Sequence, residues 1–191
     1  MPALPRAFYQ RPARAVARDL LGCVLVSRRG RAQTAGRIVE TEAYLGPEDG
    51  ASHAAFRPGS HGLFYGEGGV AYVFLNYGTH HCLNAIAGPA GTPGCVLIRA
   101  LEPLTGHAVM ARRRGMAADA RRLTVGPGNL TRALAVTLRD NGRDLTRGSL
   151  TIEPAPEPGR FRIATGPRVG ITRSADLPLR FWIAGNPFVS R

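Results

Sequence analysis

Residues 36–44 read GRIVETEAY, a stretch in which β-branched, aromatic and charged side chains follow one another without a break. This composition predicts a β-strand. Because successive side chains of a strand point to opposite faces, four residues are predicted to share one face: Ile38, Glu40, Glu42 and Tyr44. The two glutamates are the unusual members, since carboxylates seldom lie on a strand face that packs against the core.

The spacing of Glu40 and Glu42 allows two interpretations. Taken alone, it favours a face exposed to solvent. The following loop favours a functional face, because Glu48, Asp49 and His53 bring further polar groups to the end of the strand. The spacing by itself does not decide between them.

Patterns on either side of this stretch define the fold class. Strands are predicted at 23–26, 70–77, 95–101, 149–153, 161–164 and 180–184, and helices at 12–21, 104–113 and 127–136. Turns are predicted at 27–30 and 155–159, and a long irregular loop at 46–62. Helices and strands do not alternate regularly, which favours an α+β fold with a curved, mainly antiparallel sheet and flanking helices. With 191 residues and no linker, the chain is expected to form one domain over residues 1–191.

An arginine interrupts the apolar stretch CVLIRAL at residues 95–101. A guanidinium among apolar neighbours usually reaches a carboxylate or an anion, because an unpaired buried charge is unfavourable. Arg99 is therefore expected either in a structural ion pair or beside a catalytic glutamate, where the two side chains would orient a water molecule.

The stretch VAYVFLNYG at residues 70–78 ends in a tyrosine followed by a glycine. This ending predicts the tip of a protruding β-hairpin that projects Tyr77. On a basic protein, an exposed aromatic side chain at such a tip is able to wedge between bases. The alternative is a tyrosine packed in the core, as most aromatic strand residues are.

The charge of the chain favours a polyanionic partner. There are 25 basic residues against 13 carboxylates, which gives a net charge of +12 and a pI near 11.2. Basic domains of this kind usually bind nucleic acid, with a membrane surface as the second choice and an idle basic surface as the third. The arginines at 112–114 and 121–122 predict a solvated basic patch for phosphate contacts.

All 25 basic residues are arginine, because the sequence contains no lysine. This excludes a lysine Schiff base and a Walker-type phosphate loop. The amine left for Schiff-base chemistry is the N-terminus, which would belong to Pro2 after removal of Met1.

The cysteines and histidines do not predict a metal or redox site. Cys23, Cys82 and Cys95 are too few and too widely spaced for a disulfide framework or a zinc site, and we expect them to be reduced and buried. His80 and His81 are neighbours on a strand and point to opposite faces, so they are not expected to chelate one ion. We predict no metal and no cofactor.

No signal peptide or membrane-spanning segment is recognised, so a cytoplasmic protein is expected, associated with the nucleoid in a bacterium.

Several blocks of the sequence together resemble one family. They are GRIVETEAYLGPED at 36–49 followed by His53, AYVFLNYG at 71–78, CLN at 82–84, CVLIRALEP at 95–103, GPGNLTRAL at 126–134 and PLRFWIAGNPFVS at 178–190. In this order they are similar to the blocks of the alkyladenine DNA glycosylases, also called 3-methyladenine DNA glycosylases of the mammalian type. The resemblance extends over nearly all of residues 13–190.

The resemblance implies roles for matching residues. Glu42 matches the general base. Arg99 and the backbone carbonyl of Val169 match the groups that hold the attacking water. Asn84 matches a pocket asparagine that discriminates against normal guanine, and Tyr77 matches the wedge that fills the gap in the duplex.

Three further residues match the walls of the base pocket in that family. Tyr44 and His53 match side chains that sandwich or hydrogen-bond the extruded base. Phe74 stands where better-known members carry a stacking tyrosine, so stacking is expected to survive while polar contacts change. The loop at 54–61 is shorter than in the mammalian proteins.

The resemblance implies base excision from double-stranded DNA that carries a damaged purine. Such an enzyme flips an alkylated or deaminated purine out of the duplex and hydrolyses its N-glycosidic bond with an activated water, leaving an abasic site. Without a lysine, no lyase activity is expected, and a monomer is expected to suffice. One alternative is a non-catalytic binder of distorted DNA, which does not explain Glu42 together with Arg99. Another is an RNA-binding module, whose aromatic motifs are not found here.

Overall fold

The computed structural model describes residues 1–156 and 161–190. The strands are β1 (Val24–Arg29), β2 (Ala32–Tyr44), β3 (Ala71–Asn76), β4 (His80–Ile86), β5 (Cys95–Thr105), β6 (Leu150–Glu153), β7 (Ile163–Gly166) and β8 (Arg180–Ile183). The α-helices are α1 (Arg6–Tyr9), α2 (Ala13–Asp19), α3 (His53–Phe56), α4 (His61–Phe64), α5 (His107–Arg114) and α6 (Pro127–Leu134). Short 3-10 helices lie at Pro58–Ser60, Arg121–Leu123 and Leu138–Asp140.

The strands form one antiparallel sheet in the order β3-β4-β5-β2-β1-β6, with β8 paired to β2 and β7 paired to β8. The glutamate-bearing strand β2 is long enough to have two neighbours along one edge. Its first half pairs with β1, where Arg37 lies opposite Val24, and its second half pairs with β8, where Glu40 lies opposite Trp182. Its other edge pairs with β5. Glu40 and Glu42 therefore lie at the centre of the sheet.

The apolar core lies where helices pack on the sheet. α2 packs on β2 and β5, and α6 packs on β4 and β5. Val16 and Leu130 from these helices and Ile38 and Ile98 from the sheet are all fully buried. Burying such a side chain stabilises the fold by about 1.5–3 kcal/mol. The packing thus fixes β2 and β5, the strands that carry Glu42 and Arg99.

The predicted fold class is confirmed. Helices and strands do not alternate, and every pair of described strands is antiparallel. The hairpin formed by β3 and β4 lies at one edge of the sheet, and Tyr77 occupies its turn. The strand predicted at 95–101 is longer than expected and continues as β5 to Thr105.

Two local predictions need correction. The turn predicted at 27–30 begins only at Gly30, because β1 continues to Arg29 and Ser27 pairs with Thr34. Gly30 has a positive φ of 58°, which suits glycine. The loop at 46–62 is not wholly irregular, since it contains α3, one 3-10 helix and the start of α4.

Strand β4 was not among the predicted strands, although His80 and His81 at its start were treated as strand residues. The helix predicted at 104–113 begins later, at His107, because β5 uses the preceding residues. The turn predicted at 155–159 lies partly outside the described residues.

Candidate active site

A cavity of about 200 Å³ opens where the end of β2 meets the β3–β4 hairpin and the segment that follows β7. Seven of the eight site residues predicted from the sequence line it: Tyr44, His53, Phe74, Tyr77, Asn84, Arg99 and Val169. Phe56, Phe64 and Tyr72 add three aromatic rings that the sequence analysis did not single out. The structure therefore brings residues from distant parts of the chain to one pocket.

The eighth predicted residue, Glu42, lies behind the pocket wall and is fully buried. Its Oε1 accepts a 2.8 Å hydrogen bond from the amide of Val169 and lies 3.3 Å from Nη1 of Arg99. Its Oε2 accepts a 2.9 Å hydrogen bond from the Tyr44 hydroxyl. Val169, Arg99 and Tyr44 thus hold the Glu42 carboxylate, and all three line the cavity.

The exposed-face interpretation of Glu40 and Glu42 is wrong. Both side chains are fully buried, and Glu40 lies 3.0 Å from Arg99 and 2.7 Å from Arg180. Buried carboxylates are tolerated when cations and hydrogen-bond donors face them, and here both conditions hold. The alternation of side chains along the strand could not reveal this, because the partners come from β5 and β8.

Arg99 forms ion pairs with both buried glutamates of β2. Its Nε faces Glu40 and its Nη1 faces Glu42. Burial alone would lower the pKa of the guanidinium, but the charges of the two carboxylates outweigh it and raise the pKa above its ordinary value. Arg99 therefore carries a permanent positive charge between two buried glutamates.

Tyr44 is fixed on both sides. Burial and the adjacent Glu42 charge raise the pKa of its phenol above the ordinary value, so the hydroxyl stays protonated and donates to Glu42. The guanidinium of Arg168 lies 4.6 Å from the centre of its ring. This arrangement is suited to holding the Glu42 carboxylate in one orientation.

Arg168 and Asp49 form a buried ion pair that the sequence analysis missed. The guanidinium donates to both carboxylate oxygens, at 2.6 and 2.8 Å, and both side chains are fully buried. Burial alone would raise the pKa of Asp49, but hydrogen bonds from Arg168 and from two backbone amides hold the pKa below its ordinary value. Asp49 was noted only as a polar loop residue. Its partner is 119 positions away, and no local pattern connects the two.

His53 forms part of an aromatic wall with Phe74 and Tyr72. Its ring centre lies 4.5 Å from that of Phe74, and its Nδ1 is 2.7 Å from the Tyr72 hydroxyl. Burial, with a smaller effect of the Arg57 charge, lowers the pKa of His53 to about 4. The ring is therefore neutral near pH 7. Tyr72 could have been recognised from its position two residues before Phe74 on β3, which places both on one face.

Asn84 is buried on β4, with its side chain oriented by backbone and thiol groups. Its Nδ2 donates to the Tyr72 carbonyl at 3.1 Å, and its Oδ1 accepts from the Cys95 thiol at 3.7 Å. The first contact fixes which end of the amide faces β3. Asn84 thus presents a fixed polar group to a pocket that is lined by several aromatic rings.

Tyr77 occupies the turn between β3 and β4 and is 82% exposed, which confirms the predicted hairpin tip. Its φ of 49° lies in the left-handed region, and Gly78 after it has a φ of 68°. A non-glycine residue in this region is strained by about 1 kcal/mol or more. The tip therefore displays a large aromatic side chain at the pocket mouth instead of the glycine that the backbone favours.

The arginines at 112–114 and 121–122 are not simply a solvated patch. Arg113 donates to the Ala133 carbonyl at 2.9 Å, and Arg114 donates to the Leu123 carbonyl at 3.2 Å. Arg121 donates to the Pro187 carbonyl. These side chains tie α5 and its neighbours together, while Arg112 and Arg122 are exposed.

The described residues contain no cluster of histidine, cysteine and carboxylate side chains that could hold a metal ion. The three cysteines are free and buried, as predicted. Burial raises the pKa of Cys23 and of Cys82 to about 11. Among the described helices, none is long and apolar enough to cross a membrane.

Comparison with known proteins agrees with the geometry. The family model for methylpurine-DNA glycosylase matches residues 7–187. A relative from Koribacter versatilis is 49% identical over 191 aligned residues, which cover 98% of this chain and 92% of the relative. A relative from Anaeromyxobacter sp. is 50% identical, and the alignment covers 98% of this chain and 92% of the relative. A relative from Bacillus subtilis is 43% identical, and the alignment covers 98% of this chain and 96% of the relative. All three relatives carry 3-methyladenine DNA glycosylase as a provisional name.

Proposed function

The chain belongs to the methylpurine-DNA glycosylase family, and from that premise we propose that it excises alkylated or deaminated purines, hypoxanthine included, from double-stranded DNA. One arrangement carries the proposal. Glu42 is held by the Val169 amide, the Tyr44 hydroxyl and Arg99, directly behind an aromatic pocket. A carboxylate so oriented is suited to act as a general base on a water in that pocket.

Base flipping follows from the position of the site. A glycosidic bond inside a duplex is out of reach of a buried carboxylate, so the nucleotide must leave the stack. Unstacking costs a few kcal/mol, and an aromatic side chain inserted into the gap offsets part of it. Tyr77 is the exposed aromatic residue at the pocket mouth and would fill this role.

The pocket walls suit a cationic, alkylated purine. The rings of Tyr44, Phe74 and His53 offer π-faces, which attract a positively charged base. Because its pKa is about 4, the His53 ring is neutral and adds no repelling charge. Asn84 supplies the polar contact by which normal guanine would be rejected.

The proposed reaction is a single displacement by water. Glu42 takes a proton from the water, the water oxygen forms a bond to C1′ of the sugar, and the bond between C1′ and the base nitrogen breaks. The electrons of that bond move to the base, which leaves as a neutral molecule if it was alkylated and cationic. One carboxylate therefore suffices for such lesions, whereas most glycoside hydrolases need a second one as acid. Arg99 and the carbonyl of Val169 would hold the water.

The product of this reaction would be an abasic site in an unbroken strand. Strand cleavage by a glycosylase uses an amine that forms a Schiff base with the sugar. The chain contains no lysine to supply it, and the N-terminal amine pairs with Glu153, which does not line the pocket. All residues of the proposed site come from one chain, so we expect a monomer to be active.

The test uses end-labelled duplexes that each carry one lesion: hypoxanthine, ethenoadenine or an alkylated purine. After incubation with protein at fixed low salt, half of each sample is treated with hot alkali. Cleavage that depends on alkali is expected from the wild type. Glu42→Gln should slow base release by about 100-fold or more while lesion binding persists. Glu48→Gln, in an exposed residue of the loop that follows β2, serves as the matched control with wild-type activity.

Three results would contradict parts of the proposal. Base release by Glu42→Gln at the wild-type rate would show that Glu42 is not the general base. Tight lesion binding without base release by the wild type would make the protein a damage-recognition module instead. Strand cleavage without alkali would overturn the assignment as a monofunctional enzyme.

A further inference from the structure

Glu40, the second carboxylate of β2, has a denser set of partners than Glu42, and the reaction above does not use it. Its Oε1 accepts hydrogen bonds from Arg99 Nε at 3.0 Å, Arg180 Nε at 2.7 Å and Ser190 Oγ at 2.8 Å. Its Oε2 accepts one from the Ser190 amide at 2.7 Å. The side chain is fully buried. Glu40 thus contacts Arg99 at Nε, whereas Glu42 contacts Arg99 at Nη1.

Ser190 commits all of its polar groups to this cluster. Its amide and hydroxyl donate to Glu40, and its carbonyl accepts from Arg180 Nη2 at 2.8 Å. Its hydroxyl oxygen also accepts from Arg99 Nη2 at 3.3 Å. One hydroxyl can donate once and accept twice, so these roles are compatible.

The guanidinium of Arg99 is thus held at three nitrogens by three different partners. Nε contacts Glu40, Nη2 contacts Ser190, and Nη1 contacts Glu42 at 3.3 Å. A planar guanidinium without the first two contacts would turn to form two parallel hydrogen bonds with Glu42, the geometry that such pairs prefer. It would then lie where the attacking water has to bind.

We propose that Glu40, Arg180 and Ser190 form a clasp that positions Arg99 for catalysis. The segment that follows β8 would then take part in catalysis, although its residue Ser190 does not line the pocket. The inference rests on the proposed function of Glu42 and Arg99. It assigns positioning roles to residues that do not contact substrate.

A comparison of base release with lesion binding separates positioning from simple stability. A misplaced Arg99 slows the chemical step in molecules that still bind the lesion. Loss of folded protein lowers lesion binding and base release by the same factor.

The experiment measures single-turnover base release and lesion binding on the same duplexes for Glu40→Gln, Ser190→Ala and Ser190→Thr. We expect release by Glu40→Gln to fall about 100-fold, because misplacing a catalytic group by about 1 Å has an effect of this size. Ser190→Ala should lose roughly tenfold, as expected for a lost hydrogen bond to a charged group, and Ser190→Thr should retain most of the rate. Lesion binding should change less than twofold in all three.

Asp140→Asn is the matched control. Asp140 is 2% exposed and pairs with Arg29 and Arg143, so this variant also disturbs a buried ion pair, but one away from the pocket. It should lose stability while its rate per folded molecule stays unchanged. Ser190→Ala removes a single hydroxyl and keeps the test decisive if Glu40→Gln fails to fold.

The outcomes are distinguishable. Wild-type rates in both Glu40→Gln and Ser190→Ala, with Glu42→Gln inactive, would overturn the clasp and leave the proposed function intact. A rate loss in Glu40→Gln that is matched by an equal loss of lesion binding and of folded protein would reduce the cluster to a structural role. Absence of base release by the wild type on every lesion would overturn both proposals.

Discussion

The amide of Val169 donates a 2.8 Å hydrogen bond to Oε1 of Glu42, across 127 positions of the chain. The neighbouring residue Arg168 anchors this contact, since its guanidinium holds both oxygens of Asp49 and also reaches the carbonyl of Ala43 at 3.1 Å. The position of Glu42, the proposed general base, therefore depends on an ion pair outside the pocket. This dependence can be tested through stability and activity together.

Asp49→Asn should destabilise the protein by about 3–5 kcal/mol, because removing one partner of a buried pair leaves the other charge unpaired. Activity should fall as well, since Val169 loses its anchor. The folded-state pKa of Asp49 lies below its ordinary value of 3.8. The pair therefore contributes full stability above the pKa of the unfolded state, and that contribution is lost as the pH falls through the folded-state pKa. Urea unfolding of the variant and of the wild type at several pH values measures both effects.

Asp19→Asn provides the control for this comparison. Asp19 pairs with Arg11 at a similar distance of 2.8 Å, but on the surface. Exposed pairs contribute about 0–1 kcal/mol, so this variant should unfold near the wild-type urea concentration. Equal losses in the two variants would contradict a special role for the buried pair.

Most strands and the hairpin tip could be predicted from the sequence because their signals are local; β4 is the exception. β-branched and aromatic runs mark β2 and β3, and the tyrosine–glycine pair at 77–78 marks the turn between β3 and β4. The distant partners of Glu40 and Glu42 could not be predicted this way. They come from β5, from β8 and the residues after it, and from the segment after β7, and pairing between distant segments leaves no periodic pattern in either one.

The resemblance to the blocks of a known family predicted more of the site than the periodicity of the sequence did. It selected Glu42 and Arg99 as neighbours, and the structure places them 3.3 Å apart. It did not select Arg168, Ser190 or Tyr72, because their roles arise from contacts to other site residues. Such supporting residues are recognised only once distances are available, as with the 2.7 Å contact of Tyr72 to His53.

Tyr44→Phe should slow base release roughly tenfold, because hydrogen bonds to charged groups contribute about 1.5–3 kcal/mol. The variant keeps the ring and loses the donor to Glu42. Single-turnover base release measures this loss, and lesion binding on the same duplex should stay near the wild-type value because the ring is kept.

The same measurement on Tyr65→Phe is the control, since Tyr65 is 38% exposed and lies outside the pocket lining. The rate of base release by Tyr65→Phe should match that of the wild type. If Tyr44→Phe and Tyr65→Phe behave alike, the hydroxyl of Tyr44 does not orient the general base.

His53 should stay neutral well below the pH at which a histidine ordinarily binds a proton. Its folded-state pKa is about 4, against 6.5 for the free side chain. NMR titration of the ring, assigned by comparison with His53→Gln, should show a midpoint near pH 4. The unfolded chain takes up the proton first, so stability should decline as the pH falls from about 6.5 to about 4. A midpoint near 6.5 would show a ring that is solvated and charged in mild acid.

Tyr77→Gly should separate activity from stability. The tyrosine is 82% exposed and strained at a φ of 49°, whereas glycine adopts this conformation freely. Relief of strain and the greater freedom of the unfolded chain oppose each other, so the free energy of unfolding should change by less than about 1 kcal/mol. Base release from a fully paired lesion should fall about tenfold or more, because nothing then fills the vacated stack.

The decisive comparison for Tyr77→Gly uses the same lesion placed opposite a mismatched base. An unpaired nucleotide leaves the stack more easily, so the wedge matters less and the variant should recover part of the lost rate. Tyr77→Phe should act like the wild type on both duplexes, because the ring, and not the hydroxyl, occupies the gap. A variant that loses the same factor on paired and mismatched duplexes would show that Tyr77 acts on binding or chemistry and not on the extrusion of the base.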